Sequence, residues 1–285
     1  MSMIINPYYY FTFLLDTITV PTAVAYSAAR RLATAYTGSL IRVRRSSDNA
    51  EQDIGYDGSN VLDESALTTF VGAGNGFVTT WYDQSGNGRN ATQTVPTQQP
   101  RIIVNGVLQL EGTRPAILFD GIDDGLAAPS WGLITQPFSR HYVGVRKSLT
   151  QISHWINSAE GNPNTTEYDY AEPPFNPNLN YFHAMYAGSA AVGVLLLNNE
   201  RAIFSSAYNN TSSYISKNGV LTIGFPGTQG FNGIRIGGYY NTNQFCSNVA
   251  MQEVIVCAGN NIISTVNRQA IELSQGQFYN ISVQT

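Results

Sequence analysis

Charge is what this chain has least of. Asp, Glu, Lys and Arg make up 12% of its 285 residues, about half the usual share. The net charge is -4 and the pI about 5.3. That excludes the basic stripe of a nucleic-acid surface, so no nucleic-acid partner is expected. Two cysteines, Cys246 and Cys257, make no disulfide framework and are expected as free, buried thiols. The three histidines, His141, His154 and His183, share no metal-ligand spacing. No apolar run reaches membrane-spanning length, so no membrane insertion is expected. The longest, residues 190–197, is strand-sized. Met1 to Phe13 lacks the basic start and leucine-rich middle of a signal peptide, and no leader is expected. Neither an internal repeat nor a low-complexity linker divides the chain.

In place of charge stand Asn, Gln, Ser, Thr and Tyr, and 43% of residues are hydrophobic. Such a surface suits a packed assembly or an extracellular setting. The length allows one large sandwich core. Short β signals running into turns recur along the chain: Ser39–Arg45, Phe77–Tyr82, Arg101–Val104, Ala116–Phe119, Tyr142–Arg146, His154–Asn157, then 181–187, 191–197, 201–208, 213–216, 220–223, 233–237 and 249–257. Helices are expected over Thr22–Tyr36, over Glu64–Val71 with Asp63 as cap, and over Ile262–Gln275. Phe278–Val283 reads as a closing strand. Ser46–Asn60 and the proline-rich Ser158–Asn180 read as loops, the latter long enough to be functional.

Residues 1–20 stand apart. Tyr8, Tyr9, Tyr10, Phe11 and Phe13 are too apolar to stay in water, so 1–20 is expected to be an assembly or attachment segment and 21–285 one domain. The arginines Arg42, Arg44 and Arg45 are expected to form solvated faces or ion pairs with Asp48, Glu51 and Asp53.

Pro115–Gly121, Ile122–Gly125, Ser213–Val220, Gly233–Gly238 and Met251–Val256, in this order, resemble the laminin-G-like, concanavalin-A-like jelly roll. The resemblance implies an all-β, antiparallel two-sheet sandwich with a few peripheral helices. Ala25-Tyr26-Ser27, Ala35–Gly38, Ile41–Asp48 and Trp81-Tyr82-Asp83-Gln84-Ser85-Gly86-Asn87-Gly88 look like the start of the catalytic domain of fungal-type α-L-arabinofuranosidases B. The same combination, and a start such as Ile5-Asn6-Pro7-Tyr8, looks like that of phage virion proteins. In the arabinofuranosidase family an acid/base aspartate follows a Gly-Gly pair; here Gly237-Gly238 is followed by Tyr239. The family's vicinal cysteine pair is missing, and Glu160, Glu167 and Glu172 lie near its nucleophile without a matching motif.

The expectation is therefore a non-catalytic structural virion protein: a capsid decoration protein, fibre or spike on the virion surface, made in the host cytoplasm. Its partners would be other virion proteins, further copies of itself and host surface glycans. The alternatives are a carbohydrate-binding module and an α-L-arabinofuranosidase-like glycoside hydrolase. No catalytic residue and no cofactor is assigned. Trp131, Trp155, Tyr168, Tyr170, Tyr239 and Tyr240 are the candidates for stacking on sugar rings. Asp120, Asp123 and Asp124 either cap a turn or bind calcium through carboxylate oxygens. Asp83 is expected to brace its own turn, and Glu253 to be structural.

Overall fold

The computed structural model describes residues 12–148, 152–159, 166–171, 181–189, 192–238, 246–259 and 264–285, with the main chain alone at 167–171 and 181. In chain order the elements begin with α1 (Leu14–Thr17), β1 (Thr22–Ser27), β2 (Ile41–Arg45), β3 (Glu51–Ile54), α2 (Glu64–Val71), β4 (Gly76–Trp81), β5 (Ala91–Thr92) and β6 (Arg101–Val104). Short pairs β7 (Val107–Leu108), β8 (Leu110–Glu111) and β9 (Arg114–Pro115) lead to β10 (Ile117–Asp120), β11 (Leu126–Ala128), β12 (Phe138–Arg146), β13 (Ser153–Asn157) and β14 (Thr166–Ala171). Then come β15 (Tyr181–Tyr186), β16 (Val192–Leu195), β17 (Arg201–Tyr208), β18 (Ser213–Lys217), β19 (Val220–Gly224), β20 (Ile234–Ile236), β21 (Asn248–Ala258) and α3 (Thr265–Tyr279).

The pairing between the named strands is antiparallel and forms two layers. In one, β1 and β10 lie along one side of β21, followed by β12, β17, β18 and β19. In the other the order is β3-β2-β4-β5-β11-β20-β13-β14-β15-β16. β6 pairs with both β4 and β10 and joins the layers along one side. The expected all-β sandwich is thus the architecture found. Between the layers lie Tyr26, Trp81, Phe119, Phe138, Tyr142, Trp155 and Phe204, all fully buried. α3 closes the outer face of β12 and β17.

A buried carboxylate fastens α3 to the sheet. Glu253 on β21 accepts from Arg30 Nε at 2.8 Å and Nη2 at 2.9 Å, from the Tyr279 hydroxyl at 3.0 Å and from Gln275 Nε2 at 3.2 Å. A charge out of water is tolerable only when paired and hydrogen-bonded in this way. The structural role expected of Glu253 is the one it has.

Four local expectations are corrected. Thr22–Ser27 is a strand, because β21 pairs with it and both its faces are buried; the spacing of Val24, Ala25 and Ala28 imitates a helical stripe. Ser46–Asn60 contains β3, an edge strand held by charge: Arg42 contacts Glu51 at 2.7 Å and Asp53 at 3.1 Å, and Arg45 contacts Asp48 at 2.7 Å. The Ser158–Asn180 stretch contains β14. At the C-terminus the helix runs on to Tyr279, since Gln275, Phe278 and Tyr279 are buried beneath it, and Asn280 ends it in the left-handed region at φ 53°. No strand covers Phe278–Val283.

Residues 12–20 pack on their own domain. Leu14 and Val20 join the core, Leu15 donates its backbone N–H to Leu32, and the Phe13 ring lies 4.7 Å under the Arg31 guanidinium. Tyr8, Tyr9, Tyr10 and Phe11 lie outside the described residues.

Candidate active site

The most recognisable motif of the chain is a brace. Asp83 accepts the backbone N–H of Ala25 at 2.9 Å, of Ser85 at 2.9 Å and of Arg89 at 3.1 Å, and the Ser85 hydroxyl at 2.8 Å. Gln84 accepts the N–H of Leu32 at 2.7 Å and donates to the Arg30 carbonyl at 3.1 Å. These two buried side chains satisfy the outer edge of β1 and the irregular segment after it, which no strand pairs. Asp83 is consumed by that work and offers nothing to a substrate.

Two hollows border charged groups. The larger, about 470 Å³, is an open depression between β3 and α2 lined by Gln52, Asp63, Ser65, Ala66, Thr69 and Phe70. Its carboxylate, Asp63, is occupied in capping α2 through the Ala66 N–H at 2.9 Å. The smaller, about 200 Å³, lies between the layers at one end of the sandwich. Asp120, Gly121, Ile122, Ser148, Ser153, Cys246 and Asn248 line it. Clefts where several strand ends converge are the usual place for a small-molecule site, and this one has the chemistry around it.

Three features meet at the smaller cleft. The first is the turn Asp120–Asp124, whose three carboxylates approach within 4.8 Å of one another. Asp120 Oδ1 accepts the N–H of Ile122 at 2.8 Å, and Asp124 Oδ2 accepts that of Asp120 at 2.9 Å. Burial, reinforced by the Asp120 charge, pushes the Asp124 carboxyl up to about 7. Asp120 and Asp124 cap the turn through these backbone N–H groups.

The second feature is the Gly237-Gly238 step at the end of β20. Gly237 has φ 93°, and a Cβ there would stand 2.2 Å from Phe119 Cδ1; only glycine fits. A Cβ on Gly238 would stand 3.2 Å from Cys246 Sγ. Burial holds the Cys246 thiol up at about 11 despite the nearby Arg235. Both cysteines are free and buried, as expected.

The third feature is β14. Its main chain places Asp169 opposite Ser153, which lines the cleft, and Glu167 opposite Ile156. Ile156 is in turn opposite Ile236, the last residue of β20. Asp169 and Glu167 are therefore two positions apart on one strand, about 7 Å along it, and β14 is two strands, roughly 10 Å, from β20. Asp169 escaped the sequence reading. It lies in a proline-flanked stretch without strand-like apolar alternation, and only the pairing with β13 and β15 shows it beside a cleft.

Of the expected sugar-stacking residues, two have described side chains, and both pack within the protein. Trp155 is fully buried, 4.6 Å from His183 and 6.3 Å from Tyr142 between ring centroids. Trp131 is half-buried, with Arg89 over its ring at 4.6 Å and Phe231 edge-on at 6.1 Å. Tyr168 and Tyr170 are on β14, described by main chain alone; Tyr239, Tyr240, Glu160 and Glu172 lie outside the described residues.

Residues 14–107 match the family model described as α-L-arabinofuranosidase B, catalytic. An α-L-arabinofuranosidase of Hypocrea jecorina is 40% identical over 76 residues, 27% of this chain and 15% of that protein. α-L-Arabinofuranosidase B of Aspergillus oryzae is 38% identical over 77 residues, again 27% of this chain and 15% of the relative. The matched stretch is thus a small part of the curated relatives. Among solved structures, an arabinofuranosidase complexed with arabinofuranosyl-α-1,2-xylobiose superposes with TM-score 0.67 at 15% identity, covering 90% of this chain and 62% of that one. A GH54 α-L-arabinofuranosidase soaked with a cyclic sulfate inhibitor gives 0.64 at 14%, with the same coverage. At this identity the superposition speaks for the fold. The relatives are enzymes, and this corrects the sequence reading. The structural virion protein, the absence of catalysis, the virion partners with self-assembly and host-glycan adhesion, and the virion-surface location give way to the reading first ranked behind them.

Proposed function

We propose that the chain is a glycoside hydrolase of the α-L-arabinofuranosidase type, cutting terminal arabinofuranosyl groups at the small cleft between the layers. The observation that carries this is the strand register at the cleft. It sets the carboxylate-bearing positions Asp169 and Glu167 of β14 two strands from Gly237-Gly238, in a fold superposable on arabinofuranosidases. Hydrolysis of a glycoside with retention needs one carboxylate as nucleophile and a second carboxyl as proton donor, and no cofactor. Asp169 is the nucleophile in this reading, because its partner Ser153 lines the cleft, whereas the partner of Glu167, Ile156, is in the core.

The test is turnover of 4-nitrophenyl α-L-arabinofuranoside and of short arabinosylated xylo-oligosaccharides. The wild-type chain is expected to release arabinose, and Asp169→Asn to lose at least 10³-fold in kcat, while Glu160→Gln stays within about tenfold. Absence of turnover by the wild-type chain on every arabinofuranoside overturns the reading. Loss on Glu160→Gln, with Asp169→Asn active, moves the nucleophile off β14.

A further inference from the structure

The hydrolase reading leaves the proton donor unassigned. Gly237-Gly238 follow β20, and the next two residues in sequence, Tyr239 and Tyr240, carry no carboxyl. Protonating a sugar leaving group needs an acid far stronger than a phenol of ordinary pKa near 10. The donor has to come from another wall of the cleft.

Among the described residues that line the cleft, Asp120 alone bears a carboxyl. It is the last residue of β10, half-buried, and opposite Asn248 at the start of β21. Its Oδ1 is fixed by the N–H groups of Ile122 at 2.8 Å and Asp123 at 3.4 Å. Its Oδ2 takes part in no hydrogen bond among the described residues. A carboxyl held through one oxygen keeps its orientation and leaves the other oxygen open to a substrate in the cleft. Its neighbour Asp124 is spoken for, with Oδ2 on the Asp120 N–H at 2.9 Å. Cys246, on the same lining, is 3% exposed and makes no hydrogen bond among the described residues, so a buried S–H also faces the cleft without a partner. Its thiol is held in the protonated form and cannot serve as the base.

We infer that Asp120 is the acid/base residue of the cleft, replacing a carboxyl that the Gly237-Gly238 strand end does not supply. This rests on the hydrolase reading. In the first step the Asp169 carboxylate bonds to the anomeric carbon. The bond from that carbon to the leaving oxygen breaks, and the oxygen takes the proton of the Asp120 carboxyl. In the second, water attacks the anomeric carbon and gives a proton to the Asp120 carboxylate. The glycosyl ester breaks, Asp169 recovers its electron pair, and the sugar leaves with retained configuration.

The discriminating experiment is Asp120→Asn, which keeps an oxygen for the turn. On a poor leaving group, an arabinosylated xylo-oligosaccharide, kcat/KM is expected to fall 10²–10⁴-fold. On 2,4-dinitrophenyl α-L-arabinofuranoside, whose leaving group needs no proton, the fall is expected to stay under tenfold. Azide should restore turnover and yield the arabinofuranosyl azide of retained configuration, because an anionic nucleophile needs no base. Asp123→Asn, in the same turn but off the cleft lining, serves as the control for turn damage. Equal losses on both substrates, or no loss, or no azide product, overturns the assignment while wild-type turnover leaves the hydrolase reading standing. Should Asp120→Asn fold poorly, azide still decides, since a small anion does not rescue a misfolded enzyme. A wild-type chain without turnover sinks the hydrolase reading itself.

Discussion

Asp124 shows how one buried side chain can give the molecule a pH response. Asp124 is 4% exposed, and burial raises its carboxyl to about 7, against about 3.9 for an unfolded Asp. Between those values the folded chain binds a proton that the unfolded chain has lost. Stability from this group is complete below about pH 4 and is lost as pH rises towards 7. Urea midpoints taken from pH 4 to 8 should therefore fall more steeply for the wild-type chain than for Asp124→Asn, which has no proton to lose. Parallel profiles would show that Asp124 is ionised in the folded state throughout.

At the level of elements, Gly237 fixes how the chain leaves β20. Gly237 combines positive φ with the aromatic ring of Phe119 where a Cβ would stand, and its N–H donates to the Trp155 carbonyl at 2.9 Å. Gly237→Ala should cost about 1–3 kcal/mol in chemical denaturation and lower kcat more than it raises KM, since Gly238, next to it, packs close to Cys246 of the cleft lining. Unchanged kcat would mean that the β20 end plays no part in catalysis. The Tyr82–Gly88 turn is the opposite case. Its motif is the most recognisable of the chain, yet Asp83, Gln84 and Asn87 bond the backbone of residues 22–32 and line neither hollow described above.

For the whole molecule, the N-terminal stretch tests where the domain begins. The sequence reading makes residues 1–20 a dispensable assembly segment. Leu14 and Val20 nevertheless sit in the core, and Thr19 donates its N–H to Asn267 Oδ1 on α3 at 3.3 Å. Deleting 1–20 should lower stability by about 3–6 kcal/mol, at about 1.5–3 kcal/mol for each large side chain lost. Leu14→Ala alone should cost about 2–5 kcal/mol. Denaturation midpoints unchanged by the deletion would restore the boundary at residue 20.

Local pattern carried most of the fold. Turn residues punctuate strands such as Arg101–Val104 and Arg201–Tyr208, and Asp63 caps its helix, because these signals are written within a few residues. Low charge and unpaired cysteines were equally plain from composition. What tertiary structure alone decided is whatever depends on partners distant in sequence. β1 is a strand because β21 lies beside it, some 230 residues on. β14 is a strand because β13 and β15 flank it. The cleft has the same origin. Asp120, Ser153 and Cys246 share no motif, and only the closing of one layer over the other brings their side chains to a common space.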